Sequence, residues 1–565
     1  MSAPLGVYIC HCGQNIAANV DVPGLAEKLS GEPGFAVVRH YPYLCSKPGQ
    51  ELIKEDVRAG RAGRVVVAAC SPRMHEATFR KAVASEGLNP YLFTHVNIRE
   101  QCSWVHSDRE RATEKAGELI RGGAGRVRLQ EPLTGGTMAI VPKALVLGGG
   151  PAGLTAALTL ADMGIPVTLV EREAETGGRA ASFARTFPDG RPVGPWLDDL
   201  KKRLEANPLA EMLLNSEVTG LTGQPGNFEI EIKGPDGARR VAAGAVLLAT
   251  GFSLYRPDDG VHGRPELGYG ADSSIMTQEE LDRLLGRCAG LPILFGRAIE
   301  SAVFVQCVGS RDRTSGAAHC SRACCMTSVR QASELMERGL KDATVLYMDL
   351  RAYARGAEEA YEEAGRAGVS FRRGGVSEIH REGERRVVRF EDTLGGRPEA
   401  MPVDLVVLAC GARPRPDAEE VGRLFGVGRG PDGFFQEAHP KLRPSETALD
   451  CVYLCGACQG PKTVGEAAQS GRAAAVKAAQ VLLRGSLPVD PVVAVIDPER
   501  CARCGLCRET CPADAPFIPR PGLPMRINTG LCRGCGACAS VCPSHAASLK
   551  HFRDVQILAE LFSKA

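Results

Sequence analysis

The chain has 565 residues, of which 44% are apolar and 24% are charged, the composition of a globular protein of about three or four domains. Its net charge of +2, from 68 Lys and Arg against 66 Asp and Glu, argues against a general nucleic-acid-binding surface. No apolar run reaches the ~18 residues of a membrane-spanning helix, and the N-terminus lacks a signal-peptide pattern, so 22 cysteines favour metal ligation in a reducing cytoplasm.

The first ~130 residues combine short apolar strands with cysteines. Strands predicted at 6–9 and 65–69 each lead directly to a cysteine, and loops at the carboxyl ends of parallel strands commonly form ligand sites. Isolated core thiols are the alternative, because free cysteine is often buried. Side chains alternate along a strand, so Cys10 and Cys12 would face opposite ways if this segment stays extended. The candidate ligands here are Cys10, Cys12, Cys45, Cys70 and Cys102.

A glycine-rich turn at 148–153 carries a nucleotide-binding pattern. It follows an apolar strand at 144–147, precedes a helix predicted at 154–164, and is followed by a strand at 165–170 that ends on an acid. In this context Gly148 permits the tight turn, Gly150 lets the backbone approach a pyrophosphate, and Gly153 lets the helix pack on the strand. The helix N-terminus faces the phosphates, and Glu171 is placed to hold a ribose hydroxyl. The pattern predicts a bound dinucleotide.

Three further segments resemble those of the thioredoxin-reductase-like flavoproteins, which have two dinucleotide-binding domains. The first, at 177–179, comes shortly after Glu171. The second, at 249–251, follows the strand predicted at 245–248. The third, at 452–457, resembles the second flavin motif of that group. Ala457 stands where the group normally has an acid on the ribityl chain, so Lys462 or Thr463 would take over that contact. The resemblance implies FAD. The FAD-binding residues predicted from these segments are Gly178, Arg179, Thr250, Gly251, Gly456, Lys462 and Thr463.

The second nucleotide-binding unit expected in such proteins departs from its pattern. Its strand is predicted at 301–306, but the turn after it lacks the first two glycines of the motif. Backbone amides then cannot approach a pyrophosphate in the usual way, which argues against direct use of NAD(P)H. Four cysteines occupy this region instead, and their spacing leaves a metal site and buried structural thiols equally open. They are Cys307, Cys320, Cys324 and Cys325.

Two identical runs of four cysteines near the C-terminus, each closed by Cys-Pro, are the strongest metal-binding signal in the chain. Thiolates at this spacing hold 4Fe–4S clusters, and the fourth cysteine of each run ligates the cluster of the other run. Disulfides or zinc sites would not explain the repetition of the run. The predicted ligand sets are Cys501, Cys504, Cys507 and Cys542 for one cluster and Cys532, Cys535, Cys538 and Cys511 for the other.

Two segments rich in turn-forming residues, at 130–137 and 484–491, are predicted to be linkers between domains. We therefore expect an N-terminal domain at 1–135, a flavin domain at 136–490 and a ferredoxin domain at 491–565. The last segment, 552–562, has apolar residues along one stripe of a predicted helix. This helix either packs on its own domain or docks a partner subunit.

Several segments together resemble the heterodisulfide reductase A-subunit family, over nearly the whole chain. They are 306–312 with 320–325, and the stretches 347–351, 432–435, 438–443 and 459–462. The resemblance implies that the four cysteines of the second nucleotide-binding unit hold a noncanonical 4Fe–4S cluster beside the flavin. It also implies one 4Fe–4S cluster in the N-terminal domain. Five cysteines there serve four ligand positions, and we expect Cys10 or Cys12 to be the one left over.

The fold class implied is α/β. It comprises a thioredoxin-reductase-like core with two dinucleotide-binding domains, an α/β N-terminal cluster domain and a bacterial-type two-cluster ferredoxin domain of α+β type. Archaeal members commonly carry an additional ferredoxin domain inserted in the flavin domain. Here residues 229–240 read as a plain hairpin that turns at Pro235-Asp236-Gly237. The implied cofactors are FAD and four 4Fe–4S clusters.

The implied function is electron transfer within a heterodisulfide-reductase-like complex, by flavin-based bifurcation or confurcation between a two-electron donor, ferredoxin and a disulfide-type acceptor. No catalytic side chain is expected, because the cofactors carry the chemistry. The implied partners are disulfide-reducing subunits, a hydrogenase, formate or NADH input module, ferredoxin and a possible second copy of the chain; nucleic acid and membrane insertion are not expected. Two other functions stay open: a self-contained NAD(P)H-dependent disulfide or ferredoxin oxidoreductase, and an electron relay in a quinone-linked membrane complex.

Overall fold

The structure, a computed structural model, describes residues 3–186, 190–294 and 296–563. The chain forms two compact units, one made of residues 1–138 and 488–565 and the other of residues 139–487. The first unit therefore joins the two ends of the chain. Across the described residues, none of the helices combines the length and the apolar character needed to cross a bilayer.

The N-terminal part of the first unit is a parallel sheet with strand order β2-β1-β3-β4. Its elements are β1 (Leu5–Cys10), α1 (Gln14–Ala17), α2 (Val22–Ser30), β2 (Val37–Tyr41), α3 (Lys47–Arg58), β3 (Arg64–Ala69), α4 (Pro72–Ala84), β4 (Phe93–Asn97) and α5 (Arg109–Arg128). Helices α2 and α5 cover one face and α3 and α4 cover the other. Burial on both faces explains why β1 and β3 are almost continuous apolar runs.

The second unit contains two larger sheets. Its strands are β6 (Ala144–Leu147), β7 (Val167–Val170), β8 (Ala210–Leu213), β9 (Glu217–Gln224), β10 (Asn227–Gly234), β11 (Gly237–Ala243), β12 (Ala245–Leu248), β13 (Ser253–Leu254), β14 (Ile275–Thr277), β15 (Ile293–Leu294), β16 (Arg297–Ala298), β17 (Ser301–Val308), β18 (Asp342–Tyr347), β19 (Val369–Glu382), β20 (Arg385–Asp392), β21 (Arg397–Val403), β22 (Leu405–Cys410), β23 (Ala412–Arg413) and β24 (Val452–Leu454); β5 (Gly136–Ala139) and β25 (Ser486–Val489) lie at the two boundaries of the unit. The helices are α6 (Pro151–Asp162), α7 (Val193–Glu205), α8 (Gln278–Leu285), α9 (Cys324–Glu337), α10 (Ala357–Arg366), α11 (Ala418–Leu424) and α12 (Val464–Leu482).

Each of these sheets contains a parallel core of strands. The first has the order β24-β12-β6-β7-β8, and helix α6 packs between it and α12. The second has the order β14-β22-β17-β18-β19-β20-β21, in which the last two strands are antiparallel. Strands β10 and β11 pair as an antiparallel hairpin, as predicted for residues 229–240. The parallel sheets bring their connecting loops to the carboxyl edges, where ligand sites form in α/β proteins.

The C-terminal part of the first unit is a small α+β module. Its elements are β26 (Ala494–Ile496), α13 (Leu506–Glu509), β27 (Pro516–Phe517), β28 (Arg526–Ile527), α14 (Ala537–Ser540), β29 (Ala547–Leu549) and α15 (Asp554–Phe562). Strands β26 and β29 pair, as do β27 and β28. Its small core contains Cys507 and Cys538, one from each cysteine run.

Helix α15 packs on α5 of the N-terminal part. Two glycines of α5 make this close approach possible. A Cβ at Gly122 would lie 2.7 Å from the carbonyl oxygen of Glu560, and one at Gly125 would lie 2.7 Å from that of Ala559. The apolar stripe predicted for this helix is not the contact face, since Val555 is 62% exposed. The contact is formed instead by the two glycines and by Arg126, which pairs with Glu560 and lies over the ring of Phe552.

We expect Gly122→Ala to loosen α15, because its added Cβ would overlap a backbone carbonyl and overpacking costs about 1–3 kcal/mol. Hydrogen exchange of residues 554–563 should then be faster than in the parent protein. The matched control is Gly365→Ala in α10, where a Cβ meets nothing within 4 Å. That control should leave exchange in α15 unchanged, and equal exchange in the two variants would contradict the close contact.

Candidate functional site

The turn between β6 and α6 has the geometry of a nucleotide-binding loop. Gly148 has a φ of +108°, and a Cβ there would lie 2.5 Å from the carbonyl oxygen of Ala249. A Cβ at Gly153 would lie 1.8 Å from the carbonyl oxygen of Gly148, whereas one at Gly150 would meet nothing within 4 Å. The first and third glycines are thus required by the protein's own packing, and the second faces open space that a pyrophosphate can fill.

The acid after β7 closes this loop. Glu171 Oε2 accepts a hydrogen bond from the amide of Gly149 at 2.6 Å, and Oε1 accepts one from the amide of Glu173 at 3.0 Å. The carboxylate also lines the cavity beside the loop. Glu171 therefore holds the loop in place and also faces the cavity beside it.

A cavity of about 1710 Å³ extends from this loop across the second unit. Its volume exceeds the 300–1,000 Å³ of ordinary small-molecule pockets, as a dinucleotide requires. The predicted FAD-binding residues that line it are Gly148, Gly150, Glu171, Gly178, Arg179, Thr250, Gly251, Lys462 and Thr463. Gly153 and Gly456 do not line the cavity: Gly153 packs helix on strand, and a Cβ at Gly456 would lie 2.6 Å from that of Ala152.

Helix α8 contributes cavity residues that the sequence did not predict. The Glu279 carboxylate forms an ion pair with Arg179 at 2.6 Å. It also accepts a hydrogen bond from the Ser182 hydroxyl at 3.0 Å. Gln278 donates from its amide to the carbonyl oxygen of Cys324 at 2.8 Å. The only sequence signal nearby is the capping box that begins this helix at Thr277. A capping box indicates where a helix begins, but it does not indicate a ligand-binding site.

The two residues offered in place of the missing ribityl acid have different environments. Lys462 lines the cavity, and burial lowers the pKa of its ammonium group. Thr463 caps α12, where its hydroxyl accepts from the amide of Glu466 at 3.2 Å. The Thr463 hydroxyl is thus already engaged as an acceptor, so Lys462 is the better placed of the two to contact a bound ligand.

The structure brings together the four cysteines of the second nucleotide-binding unit. Cys307 lies at a bulge in β17 with a φ of +59°, and α9 begins at Cys324. Burial raises the pKa of Cys307 to about 11, and the nearby thiols of Cys325 and Cys320 add to the rise. The amide of Arg322 donates to Cys320 Sγ at 3.3 Å. Backbone donors to sulfur are among the features that tune iron–sulfur clusters.

Four of the five N-terminal cysteines lie together at the carboxyl edge of the first sheet. Burial raises the pKa of Cys10, and the thiols of Cys12 and Cys45 add to the rise. Burial raises the pKa of Cys70 to about 12; the nearby Arg99 opposes this rise, and the thiols of Cys12 and Cys10 add to it. Arg99 Nη1 also donates to Cys12 Sγ at 3.4 Å.

Cys102 is separate from this group. It is fully buried in the core on the α5 side of the sheet, and its Sγ donates to the carbonyl oxygen of Ala112 at 3.1 Å. The structure therefore places Cys10 and Cys12 in one group and sets Cys102 apart, whereas the sequence led us to expect Cys10 or Cys12 to be the one left over. The alternation rule fails because β1 ends at Cys10 and the chain turns at Cys12, whose φ is +49° and whose amide donates to Cys10 Sγ at 3.3 Å.

The two C-terminal cysteine runs have matching backbone conformations. Positive φ values recur at Arg503 and Gly534 and again at Asp514 and His545, which are equivalent positions of the two runs. Amides donate to the last cysteine of each run, from Ala515 to Cys511 Sγ and from Ala547 to Cys542 Sγ, both at 3.4 Å.

Thiols of the first cysteine run lie close to Cys538 of the second run. Burial raises the pKa of Cys538 to about 11, and the nearby thiols of Cys532, Cys507 and Cys511 add to the rise. Among the described residues, no three His, Cys, Asp or Glu side chains converge closely enough to hold one metal ion. In a 4Fe–4S cluster each cysteine ligates a different iron atom, so its sulfur ligands need not converge in this way.

Two families match the chain. Pyridine nucleotide-disulphide oxidoreductase matches residues 142–316, and the 4Fe-4S dicluster domain matches residues 500–547. These matches confirm the predicted fold class, with a flavoprotein-type disulfide oxidoreductase core and an iron–sulfur dicluster module. The chain is an oxidoreductase.

The chain is also similar to curated proteins of methanogens. It is 38% identical to the second iron-sulfur A subunit of the CoB--CoM heterodisulfide reductase of Methanopyrus kandleri, over 90% of each chain. It is 35% identical to the A subunit of the H(2):CoB-CoM heterodisulfide,ferredoxin reductase of Methanothermobacter thermautotrophicus, over 99% of this chain and 96% of that one. That alignment spans 647 positions against 565 residues here, so the relative has residues that this chain lacks. T. acidophilum thioredoxin reductase covers 60% of this chain and 98% of its own, at 17% identity and a TM-score of 0.43.

Gly150→Ala is expected to fold normally, because its Cβ meets no protein atom within 4 Å, yet to weaken FAD binding by at least about tenfold, because the close backbone approach to the pyrophosphate is lost. Flavin titration of the apoprotein measures the affinity, and thermal unfolding checks the fold. Gly194→Ala in α7, where a Cβ also meets nothing, is the matched control. Equal FAD affinity in the two variants would show that the nucleotide does not approach this turn.

Proposed function

Because the chain belongs to the heterodisulfide reductase A-subunit family, we propose that it is the FAD- and iron–sulfur-containing electron-transfer subunit of a heterodisulfide-reductase-like complex. It would hold one FAD and four 4Fe–4S clusters. Flavin-based bifurcation or confurcation, between a two-electron donor, ferredoxin and a disulfide-type acceptor, is the reaction we propose for the complex. The names of relatives, which include ferredoxin and CoB-CoM heterodisulfide, support these reaction partners.

One observation carries the proposal: a group of thiols stands where a second nucleotide-binding turn would lie, beside the flavin cavity. Cys324 lines that cavity, and Cys307, Cys320 and Cys325 lie around it. A cluster held there would be the immediate electron-transfer neighbour of the bound flavin. The stand-alone NAD(P)H-dependent oxidoreductase needs a glycine turn at this place, and the cysteine-bearing segment 307–325 occupies it.

The chain's own residues bind and orient the cofactors. The loop at Gly148 and Gly150 would receive the FAD pyrophosphate, and Lys462 would place a cation against the flavin moiety. Arg179 is fixed to the cavity wall by Glu279, which orients its guanidinium. FAD supplies the exchange between electron pairs and single electrons, while the protein supplies position, charge and exclusion of water.

In the N-terminal domain we propose Cys10, Cys12, Cys45 and Cys70 as the ligands of the fourth cluster. Their thiols lie close together, and Arg99 donates a hydrogen bond to one of them. A cation beside a thiolate favours the charged form that binds metal. Cys102, which bonds to a backbone carbonyl in the core, is left out.

The function is tested by anaerobic purification with iron and flavin analysis. The parent protein should contain about sixteen iron atoms per FAD, as four 4Fe–4S clusters require. Cys320→Ala should lose about four of these irons and keep FAD, whereas the control Cys288→Ala, at an unassigned cysteine of the same unit, should lose none. About eight irons in the parent protein, or full iron in Cys320→Ala, would remove the flavin-side cluster from the proposal.

The assignment in the N-terminal domain makes a separate prediction. Cys70→Ser should lower the iron content by about four atoms per chain, because a cubane needs all its thiolates. Cys102→Ser should keep the full iron content, since that thiol only bonds to the Ala112 carbonyl. The paramagnetic resonance spectra of both reduced variants show which cluster signal is lost. Loss of iron in Cys102→Ser with full iron in Cys70→Ser would reverse the assignment.

A further inference from the structure

The hairpin β27–β28 joins the two cysteine runs and is anchored between them. Its residue Met525 is 3% exposed and packs in the small core with Cys507 of the first run and Cys538 of the second. At its base, the amide of Asn528 donates to the carbonyl oxygen of Ala515 at 2.8 Å. Strand β27 also contacts helix α13. The hairpin is therefore held against both cluster-binding segments.

The outer surface of the hairpin is apolar and conformationally restricted. Phe517, Ile518 and Leu523 are 41%, 43% and 44% exposed. Prolines restrict the backbone φ at four positions of this short segment, Pro516, Pro519, Pro521 and Pro524. A loop whose conformation is already restricted loses little entropy on binding. Three apolar side chains exposed together on a proline-restricted loop can serve as the apolar centre of a small docking surface.

The segment that carries this surface has a positive charge, although Asp514 and Glu509 lie beside its first strand. No Asp or Glu occurs from residue 515 to residue 553, although the chain as a whole is almost neutral. Arg520, Arg526 and Arg533 are exposed, and within the described part of the chain none of their side chains forms an ion pair or a hydrogen bond. Arg533 lies between the cysteines of the second run, next to Cys532. The charge is thus available to a partner.

We propose that the hairpin β27–β28 is the docking surface for an acidic one-electron carrier protein. This rests on the proposed function, which places a cluster on each side of Met525. Arginines around an apolar centre would steer a negatively charged partner, and the small area suits a transient electron-transfer complex. The carrier is oxidised by one electron and the adjacent cluster is reduced by one, with no proton or bond exchanged.

The experiment uses the full chain with its complete iron content and, as the probe, a small acidic two-cluster ferredoxin that has been reduced and freed of reductant. Stopped-flow absorbance and freeze-quenched paramagnetic resonance follow reduction of the clusters. Reduction of the variant R520E/R526E by this ferredoxin should be about tenfold slower than that of the parent protein at low ionic strength. The difference should vanish at about 0.5 M salt. F517S/I518S should react several-fold more slowly at every salt concentration, because its loss is not electrostatic.

Two controls separate docking from other effects. The variant L483S/R484E makes the same kinds of change in a turn of the other unit, where Leu483 is 62% exposed, and should react at the parent rate. Dithionite, a small reductant that needs no docking surface, should reduce parent and variants equally.

Each other outcome points to a different failure. Parent rates for R520E/R526E with ferredoxin, together with normal reduction by dithionite, would overturn the docking surface while leaving the proposed function intact. A parent protein whose iron–sulfur signals do not appear with dithionite would overturn the proposed function itself. A concentration-dependent dimer that F517S/I518S abolishes would show that a second copy covers the hairpin, which also overturns the proposal.

Discussion

Left-handed backbone at residues other than glycine is the constraint on which the cysteine groups of this protein depend. Cys12, Cys307 and Arg322 have φ values of +49°, +59° and +63°, and Arg503 has +60°. Such a conformation costs roughly 1–2 kcal/mol for a residue with a Cβ. Each of these residues is itself a candidate cysteine or lies within two residues of one. Strain of this kind persists where the surrounding structure overdetermines it, which is typical of functional sites.

Local sequence patterns predicted several elements of the fold with their positions. Strand β12 has the predicted bounds, the β10–β11 hairpin turns as predicted, and the family resemblance is confirmed. Helix α6 begins at Pro151 and not at Leu154, because Gly150 is its N-cap and proline is favoured in the first turn. The rule of side-chain alternation does not apply to Cys10 and Cys12, because it holds only while the backbone stays extended and Cys12 has a φ of +49°.

The cavity residues from α8 could not have been found in the same way. Glu279 and Gln278 act through partners far away in sequence, Arg179 and Cys324, and no local pattern records such pairs. The contact between α5 and α15 could not have been predicted either. Glycine lowers helix propensity, so the glycines of α5 look unfavourable in the sequence; only the position of α15 shows that a larger side chain would not fit there. Local motifs identify cofactor-binding loops, whereas long-range packing decides what faces them.

The two nucleotide-type units of the flavin core differ most in the turn after their first strand. Between β6 and α6 only residues 148–150 intervene, so the helix N-terminus meets the ligand space directly. Between β17 and α9 the chain runs from 309 to 323, and the amide of Gln278 holds the carbonyl oxygen of Cys324, at the start of the helix. Ser328 Oγ accepts from both Gln278 and Gln306, at 2.6 and 2.5 Å, and thereby ties α8, α9 and β17 together. A long turn held in this way cannot wrap a pyrophosphate, yet it can gather thiols from a strand and a helix. On the function proposed here, the same α/β scaffold would serve a nucleotide or a cluster according to the length and fixation of one turn.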